Sequence, residues 1–387
     1  MKIISFLIFI LGVLSAEAYP NFIGYGYRNC LSCHESSTGG GALNDYGRGV
    51  FATEIAANPF SKSLTEDEAA GISNFLGGRE LPWWVRLGVK LRGLYVQSSP
   101  NSKNEKYKYY NMQNELNVNL FANQAHTWGI ISTLGYIENP VALYPNKTIS
   151  DKSHLFMKEY FLKGFVTKQL VVSAGFMDKT LGLKTVNHTA VNRAPIELGQ
   201  NNQVHGVLGH WIEKDSDYYF HSWLGNAHLS KTDRFTGGSF MTEQKWGAMS
   251  AYGIGGLYEK SDFVSQYIVE VHNKSGFTRG SALIAEIGYR VKKNQQLGVN
   301  EETKNYYIFS EGTLNLKRGY FLSSGLEISK NLTDVAAPDL LKWDIGFLIF
   351  PMQRFEFRFS AVNQKTINTS DAVADQWSLQ SQFHVSL

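Results

Sequence analysis

Two cysteines and a histidine lie close together near the start of the chain, in the pentapeptide Cys30-Leu31-Ser32-Cys33-His34. Two thiols separated by two residues can both reach one edge of a porphyrin and add across its two vinyl groups. The histidine that follows the second thiol is then placed to coordinate the iron. The pentapeptide therefore predicts one covalent c-type haem, attached through Cys30 and Cys33, with His34 as an axial ligand.

Two other roles suit a closely spaced cysteine pair. A zinc site needs about four ligands, and no second Cys/His pair is nearby in the sequence. A disulfide between Cys30 and Cys33, the only two cysteines of the chain, stays open but leaves His34 unexplained. Haem attachment uses all three side chains, and we therefore favour it.

The residues before this motif are typical of a secretory signal peptide. Lys2 supplies positive charge, residues 3–14 form an almost unbroken apolar run, and residues 16–18 are a small-x-small cleavage site. The run is shorter than the roughly 20 residues that cross a bilayer as a helix. We expect residues 1–18 to be removed on export, so that the mature protein begins at Tyr19.

Residues 19–82 are predicted to form a small α-helical haem domain. The glycine-rich stretch 39–49 allows the backbone to approach a flat macrocycle, although it is also compatible with a flexible loop. The side chains expected to pack on the porphyrin are Leu43, Tyr46 and Phe51. Arg48 is expected to pair with a haem propionate.

A helix is predicted to end this domain. Ser63 to Glu66 form a capping box, and Gly77-Gly78 follows the last helical residue, Leu76. The predicted apolar face consists of Ile72, Phe75 and Leu76. Such a helix resembles the terminal helix of a small class I cytochrome c.

The usual sixth ligand of a c-type haem is missing from this domain. Residues 19–82 contain no methionine, and His34 is their only histidine. The ligand is therefore water, a group of the domain or a residue from elsewhere in the chain. The candidates are the Tyr19 amine, Tyr25, Tyr27, Met112, Met157 and the other histidines.

From residue 83 to the C-terminus, polar and apolar side chains alternate, as in β-strands. The period is clear in residues 85–92, 341–349 and 354–359, and it returns in the last strand, where Trp377, Leu379, Phe383, Val385 and Leu387 alternate with Gln376, Ser378, Gln380, Gln382 and His384. In a soluble sandwich the apolar face packs on a second sheet, whereas in a membrane barrel it faces lipid. Aromatic residues near strand ends, namely Trp83, Trp84, Tyr95, Trp128 and Tyr136, are expected at the membrane interfaces.

The spacing of the strands distinguishes these folds. Tight turns are predicted near 123–125, 167–168, 214–217, 260–261, 292–294, 317–319 and 351–353. Longer polar loops are predicted at 98–106, 138–153, 178–202, 229–243, 273–279, 331–338 and 366–374, with a short outer loop near Thr303. Tight turns at one rim and long loops at the other are typical of outer-membrane barrels. Residues 83–387 are therefore predicted to form an antiparallel transmembrane β-barrel of about sixteen strands.

The overall composition limits the partners. The 37 basic and 34 acidic residues nearly balance, which argues against a nucleic-acid partner. Aromatic residues make up 13% of the chain, which in an exported protein suggests either a soluble β protein or an outer-membrane barrel.

A haem domain followed by a barrel in one exported chain resembles the monohaem cytochrome–porin fusions of bacterial outer membranes. The resemblance lies in residues 22–27, 30–34 and 45–48, and in the Gly182-Leu183 and 187–193 segments. It implies electron transfer across the outer membrane, with His34 as proximal haem ligand and a periplasmic redox protein as partner. The alternative is a porin or transporter whose haem domain plugs, gates or senses. A haem enzyme is the weakest possibility, because residues 19–82 show no distal His/Arg pair.

A single haem can serve both sides of a membrane only from inside the barrel, because the hydrocarbon core is about 30 Å thick. We therefore expect the haem domain in the lumen, as a plug, or on the periplasmic side. The inward-facing residues expected to seat it are Arg86, Lys90, Arg92, Arg354, Glu356 and Arg358, although they also suit the lining of any water-filled pore.

By analogy with sixteen-stranded porins, the third long loop, 178–202, is expected to fold into the lumen. His188 and Arg193 would then face the pore, although a solvated loop is the favoured alternative for His188. Asp178 and Asp215 are expected to be turn residues rather than catalytic groups.

Overall fold

The computed structural model describes residues 20–59, 65–98, 106–112, 114–137, 154–185, 187, 189–190, 195–198, 202–226, 229–295, 301–333, 339–367 and 373–386. The predicted signal peptide lies outside these residues, as do Tyr19, His188, Arg193 and Leu387. Most of the predicted loops at 98–106, 138–153, 331–338 and 366–374 also lie outside them. No described helix is long and apolar enough to cross a membrane.

Strands make up most of the described chain. They are β1 (Val85–Ser98), β2 (Lys106–Asn111), β3 (Asn114–Phe121), β4 (Trp128–Tyr136), β5 (Leu155–Phe165), β6 (Leu170–Met177), β7 (Val204–Ile212), β8 (Ser216–Trp223), β9 (Thr236–Trp246), β10 (Ser250–Lys260), β11 (Val264–Thr278), β12 (Ser281–Asn294), β13 (Glu301–Lys317), β14 (Tyr320–Asn331), β15 (Asp339–Met352), β16 (Phe355–Ile367) and β17 (Val373–Ser386). Each strand of the wall pairs antiparallel with its neighbours in sequence.

The sheet closes on itself, because β1 pairs with β17 along residues 90–98. The other edge of β1 pairs with β2 over residues 93–98 and with β3 over residues 85–90. β2 and β3 therefore occupy one position in the wall, and the 17 strand segments form a barrel of sixteen strands. This confirms the predicted strand number and the antiparallel closed fold.

The two faces of the barrel wall have the polarity expected in lipid. On β11 the exposed side chains include Tyr267, Val269 and Val271, whereas Glu270 and Lys274 are buried on the lumen side. The same alternation holds on β17, where Trp377, Leu379 and Phe383 are exposed. An apolar exterior around a charged interior is the reverse of a soluble domain, and it is the arrangement of a transmembrane barrel.

Between residues 229 and 303, the prediction of which connections are tight turns and which are long loops is wrong. The long loop expected at 229–243 is largely β9, and the loop expected at 273–279 is mostly the end of β11. The turn after β10, near 260–261, consequently lies at the rim of the long loops, and Thr303 belongs to β13. These strands were mistaken for loops because residues that face a charged lumen are polar, such as the fully buried Lys274.

The N-terminal segment contains only short helices. They are α1 (Pro20–Gly24), α2 (Asp45–Val50), α3 (Glu66–Ile72) and α4 (Phe75–Gly78), with a turn of 3₁₀-helix at Cys30–Ser32 and a turn of π-helix at Phe51–Ile55. The capping box is formed by Thr65 and Glu68, two residues after the predicted one. α3 ends at Ile72, since its cap is Ser73 and the chain turns before Phe75.

The predicted apolar face of that helix is wrong. Ile72 is 37% exposed and Leu76 is 56% exposed, while only Ala69 is buried on α3. The left-handed backbone conformation at Leu76, with φ 49°, breaks the helix and directs this side chain away from the segment. A continuous terminal helix of the cytochrome type is therefore not formed.

The hydrophobic core of the N-terminal segment is shared with the barrel. Phe22, Val50 and Ile55 pack in one buried cluster with Phe321 and Phe350 of the wall. Burial of apolar surface stabilises at about 25 cal/mol per Å². The segment therefore depends on the barrel for part of its core.

Candidate functional site

The N-terminal segment lies against inward-facing side chains of the barrel. Lys163 of β5 forms a buried ion pair with Glu35, at 2.8 Å between Nζ and Oε2. Asn29 donates to Asp217 of β8 at 3.1 Å. Because the same segment also packs on Phe321 of β14 and Phe350 of β15, its contacts reach well-separated parts of the wall, and the segment spans the lumen.

A second group of contacts lies at the rim of the tight turns. Arg318 donates to the carbonyl of Ala56 at 2.7 Å, and the amide of Ala57 donates to the carbonyl of Phe350 at 2.9 Å. Arg354 donates to the carbonyl of Ile72 at 3.0 Å. The segment is consequently fastened at this rim by backbone as well as side-chain groups.

The two cysteines lie on a tight turn that is held by asparagines. Asn29 caps the 3₁₀ turn by accepting from the amide of Leu31 at 2.9 Å. Asn44 donates from its side chain to Leu31 at 3.2 Å and from its backbone to Cys33 at 2.9 Å. The cysteine turn is therefore held by one asparagine that precedes it in the chain and by another that follows it.

Both thiols are buried, and neither is in a disulfide. Burial raises the pKa of the Cys33 thiol to about 12, so the group is protonated at neutral pH. The disulfide alternative is not what the structure contains. Two free thiols next to a histidine are the groups that covalent haem attachment requires.

Glycines allow the chain to fold tightly around the motif. Residues 39–41 have positive φ values of 74°, 72° and 59°, which glycine adopts at little cost. Gly47 of α2 lies directly against the carbonyl of Cys33, where a Cβ atom would overlap the backbone. The glycine-rich stretch is thus an ordered wrap around the cysteine turn.

A cavity of about 430 Å³ lies between the N-terminal segment and the wall. Of the described residues that line it, seven are Lys or Arg and two are acidic, and the cations are Arg48, Arg86, Lys90, Arg92, Lys158, Lys184 and Arg354. Its apolar lining includes Phe22, Leu43, Phe51, Phe75, Leu87 and Leu198. The cavity therefore suits a ligand that combines an apolar body with negative groups.

His34 is one of the residues that line this cavity. Its Nδ1 is buried and has no hydrogen-bond partner among the described residues. Burial and the charge of Lys90 lower the pKa of His34 to about 4. The imidazole is thus neutral at pH 7, which is the form that binds metal.

These features fit a c-type haem. The cysteine turn and the neutral His34 would supply the attachment and ligand groups, and the cationic lining would match two propionates. Of the residues expected around the porphyrin, Leu43, Phe51 and Arg48 line the cavity. Tyr46 does not, since it is 56% exposed and its ring packs on Tyr27, so that expectation is wrong.

The inward-facing residues predicted on β1 contact the N-terminal segment. Arg86 forms an ion pair with Asp45 at 2.8 Å, and the ammonium of Lys90 donates to the carbonyl of Gly41. Arg92 faces the cavity as well, and it pairs with Glu115 of β3 at 3.1 Å.

Of the inward-facing residues predicted at positions 354, 356 and 358, only some contact the N-terminal segment or line the cavity. Glu356 accepts from His384 at 3.1 Å, and both side chains line the cavity. Arg358 pairs with Glu311 at 2.9 Å and is part of the buried barrel lining. His384 was placed on the inward face by the alternation of the last strand, but nothing in the sequence connects it with His34.

The third long loop folds into the lumen, as expected. The amide of Leu183 donates to Glu286 of β12 at 2.8 Å, and Thr185 donates to Glu311 of β13 at 2.7 Å. Lys184 of this loop donates to Thr38 of the N-terminal segment at 2.8 Å. The described part of the loop thus contacts both the wall and the segment.

The two aspartates differ. Asp178 pairs with Lys184 at 2.8 Å and lines the cavity, whereas Asp215 lies in the turn between β7 and β8 and accepts from the amide of Lys245. Asp215 is therefore a turn residue, as expected, while Asp178 is part of the cavity lining.

No protein-family model matches the chain, and no curated protein matches it. Several solved structures share its fold. The outer membrane channel DcaP of Acinetobacter baumannii is 11% identical, with a TM-score of 0.56 over 78% of this chain and 97% of that one. OprB of Pseudomonas putida is 9% identical, with a TM-score of 0.58 over 79% and 94%. The anion-selective porin of Comamonas acidovorans is 9% identical, with a TM-score of 0.55 over 78% and 99%.

These similarities establish the fold of the barrel. The chain has the closed, antiparallel, sixteen-stranded architecture of outer-membrane porins. About a fifth of the chain, a share similar in size to residues 1–82, is left uncovered.

Proposed function

We propose that this protein is a porin-like channel of the bacterial outer membrane whose lumen is closed by its own N-terminal segment. In this proposal the segment carries one covalent c-type haem. The observation that carries the proposal is the seating of residues 20–59 against inward-facing side chains, which includes the buried Lys163–Glu35 pair.

In the proposed holoprotein, Cys30 and Cys33 hold the haem and His34 binds the iron. Arg48 and the cations of the wall neutralise the propionates, while Leu43 and Phe51 exclude water from the ring. When bound, the haem supplies one-electron exchange. The residues of the chain supply the position, the charge balance and the closure of the pore.

Conductance in planar bilayers tests the plug. The full-length protein is expected to conduct poorly, and a variant lacking residues 20–82 is expected to open a wide pore. Heat-modifiable gel mobility would show that the barrel of the variant has folded. Equal conductance of the two folded proteins would contradict a plug.

A second candidate function is electron relay across the outer membrane. It is favoured by the lining of the cavity, which includes Arg354 at the tight-turn rim and Leu198 from the inward-folded loop of the opposite rim. A haem between these residues would be approachable from both ends of the lumen. The partners would be an external donor or acceptor and a periplasmic redox protein.

Liposomes that contain the full-length protein and a trapped electron acceptor test the relay. Reduction of the acceptor by an impermeant external donor is expected, and it should stop in His34→Ala. Unchanged reduction in His34→Ala, with the same amount of folded barrel, would exclude the haem as the relay.

A further inference from the structure

Two histidines line the cavity among the described residues, one from the N-terminal segment and one from the barrel wall. His34 belongs to the N-terminal segment, and His384 belongs to β17. In the wall His384 is paired with Glu356 of β16 on one side and with Arg92 of β1 on the other.

The tautomer of His384 follows from its neighbour. Its Nδ1 lies 3.1 Å from a carboxylate oxygen of Glu356. Since a carboxylate only accepts, Nδ1 carries the proton and Nε2 of the neutral ring carries the lone pair. Nε2 is buried and has no hydrogen-bond partner among the described residues.

This arrangement is that of a metal ligand. Histidines that bind metals usually donate their second ring N–H to a carboxylate or carbonyl, which fixes the ring and its tautomer. A buried lone pair without a donor is otherwise unfavourable, because it loses its hydrogen bond to water. His384 has both features, and it faces the same cavity as His34.

We propose that His384 is the second axial ligand of the haem iron, and that Glu356 is the positioning residue that orients it. This inference rests on the haem of the proposed function. It makes the metal site a joint product of the first and last parts of the chain, since His34 lies in the segment and His384 lies in the final strand.

Of the other sixth-ligand candidates, the methionines and tyrosines that the structure describes are less suitable. Met157 is 43% exposed on the outer face of β5. Met112 lines a small neighbouring cavity of about 10 Å³, which shares Arg92, Glu356 and His384 with the main one, and it does not line the main cavity itself. Tyr27 donates its hydroxyl to Glu54, and neither it nor Tyr25 lines the main cavity.

The lysines that line the cavity are also engaged elsewhere. Lys158 and Lys90 both pair with Glu115, at 2.6 and 3.4 Å. Lys184 pairs with Asp178 at 2.8 Å. A protonated, paired amine has no lone pair for iron.

The test uses the full-length protein and two readouts. A haem stain on a denaturing gel reports covalent attachment, and electron paramagnetic resonance with optical absorption reports the spin state of the ferric iron. We expect stained, low-spin wild type, and a change to high spin in His384→Ala with the stain retained. Added imidazole should restore the low-spin form of His384→Ala.

The matched control is His221→Ala. His221 is also a buried histidine on the inner face of the wall, but it does not line the cavity. This variant should keep the low-spin signal. Glu356→Gln, which retains the imidazole of His384, should keep the haem but weaken the second ligand.

Stained wild type with a high-spin iron, or stained His384→Ala that stays low-spin, would overturn the inference alone. Absence of stained haem from the wild type would refute the haem of the proposed function, and the inference with it. If His384→Ala does not fold, pulsed resonance on the wild type counts the histidine ligands directly. Two are expected, and a single one would overturn the proposal.

Discussion

Lys163 of the fifth strand and Glu35 of the N-terminal segment form an ion pair in the interior of the barrel, with 2.8 Å between Nζ and Oε2 and side chains only 6% and 4% exposed. Glu35 directly follows His34, so this pair fixes the turn of Cys30 and Cys33 relative to the wall. Removal of one partner leaves an uncompensated buried charge, which typically costs about 3–5 kcal/mol.

The variant Lys163→Met should therefore loosen the N-terminal segment without opening the wall. We expect faster proteolysis of residues 20–59 and higher conductance than in the wild type. Lys168→Met, in the adjacent tight turn, is the control and should change neither. The double variant Lys163→Met/Glu35→Gln should recover much of the loss, and failure to do so would argue against the ion pair as the fastening.

The ion pairs of Asp45 make the stability of the contact between the N-terminal segment and the wall depend on pH at low pH. Burial by itself would raise the pKa of Asp45, but Arg86 and Arg48 outweigh it and hold the pKa below the ordinary value. The stabilisation is thus complete above about pH 4 and is lost as the pH falls through the lowered pKa. Because the side chain is 46% exposed, it amounts to at most about 1 kcal/mol.

Hydrogen exchange of residues 45–50 measures this effect. The rates, corrected for intrinsic exchange, should be constant from neutral pH to about pH 4 and should rise below it. Asp45→Asn should exchange at every pH at the faster rate that the wild type reaches only at low pH, and its rate should show no pH-dependent rise. A step of equal size in Asp45→Asn would assign the pH dependence to another group.

Two glycines of the same short helix should respond differently to alanine. At Gly47 a Cβ atom would overlap the carbonyl of Cys33, whereas at Gly49 there is open space. Gly47→Ala should distort the cysteine turn and reduce covalent haem on a stained gel several-fold. Gly49→Ala should keep the haem and stabilise the helix by roughly 0.5–1 kcal/mol, so equal haem loss in both would contradict the close packing.

Glu286 holds the inward-folded loop through the amide of Leu183, at 2.8 Å. A buried donor that is left without its hydrogen-bond partner costs about 1–3 kcal/mol. Glu286→Ala should consequently speed exchange of the Leu183 amide by about 10- to 100-fold. Glu302→Ala, at an exposed carboxylate of β13, should leave that amide unchanged, and an unchanged rate in both variants would show that other contacts hold the loop.

Local patterns in the sequence determined two features of the protein. They predicted the β-strands of the barrel wall and the haem-binding chemistry of the Cys30–His34 pentapeptide. The period of two extends along single strands, so the alternation in residues 341–349 and 376–386 could be recognised without the partner strands. The spacing of Cys30, Cys33 and His34 likewise carries its meaning within five residues. Because these signals are local, the sixteen strands and the haem hypothesis followed from the sequence.

The sequence did not show in the same way which polar stretches are loops and which are strands. β9 contains Thr236, Gly237 and Gly238 and resembles a loop, yet Gly237 is required because Glu259 of the next strand occupies the space of a Cβ atom. A polar stretch becomes a strand here because its side chains face a charged lumen and its backbone pairs with both neighbours.

Only the tertiary structure brought His34 and His384 to one cavity. Each histidine was visible in the sequence, but their proximity depends on closure of β17 onto β1 and on the seating of the N-terminal segment in the lumen. Ring closure and seating are contacts between distant parts of the chain, and no local period encodes them. The sequence by itself determined one half of the proposed haem site, and the fold decided which residues face it.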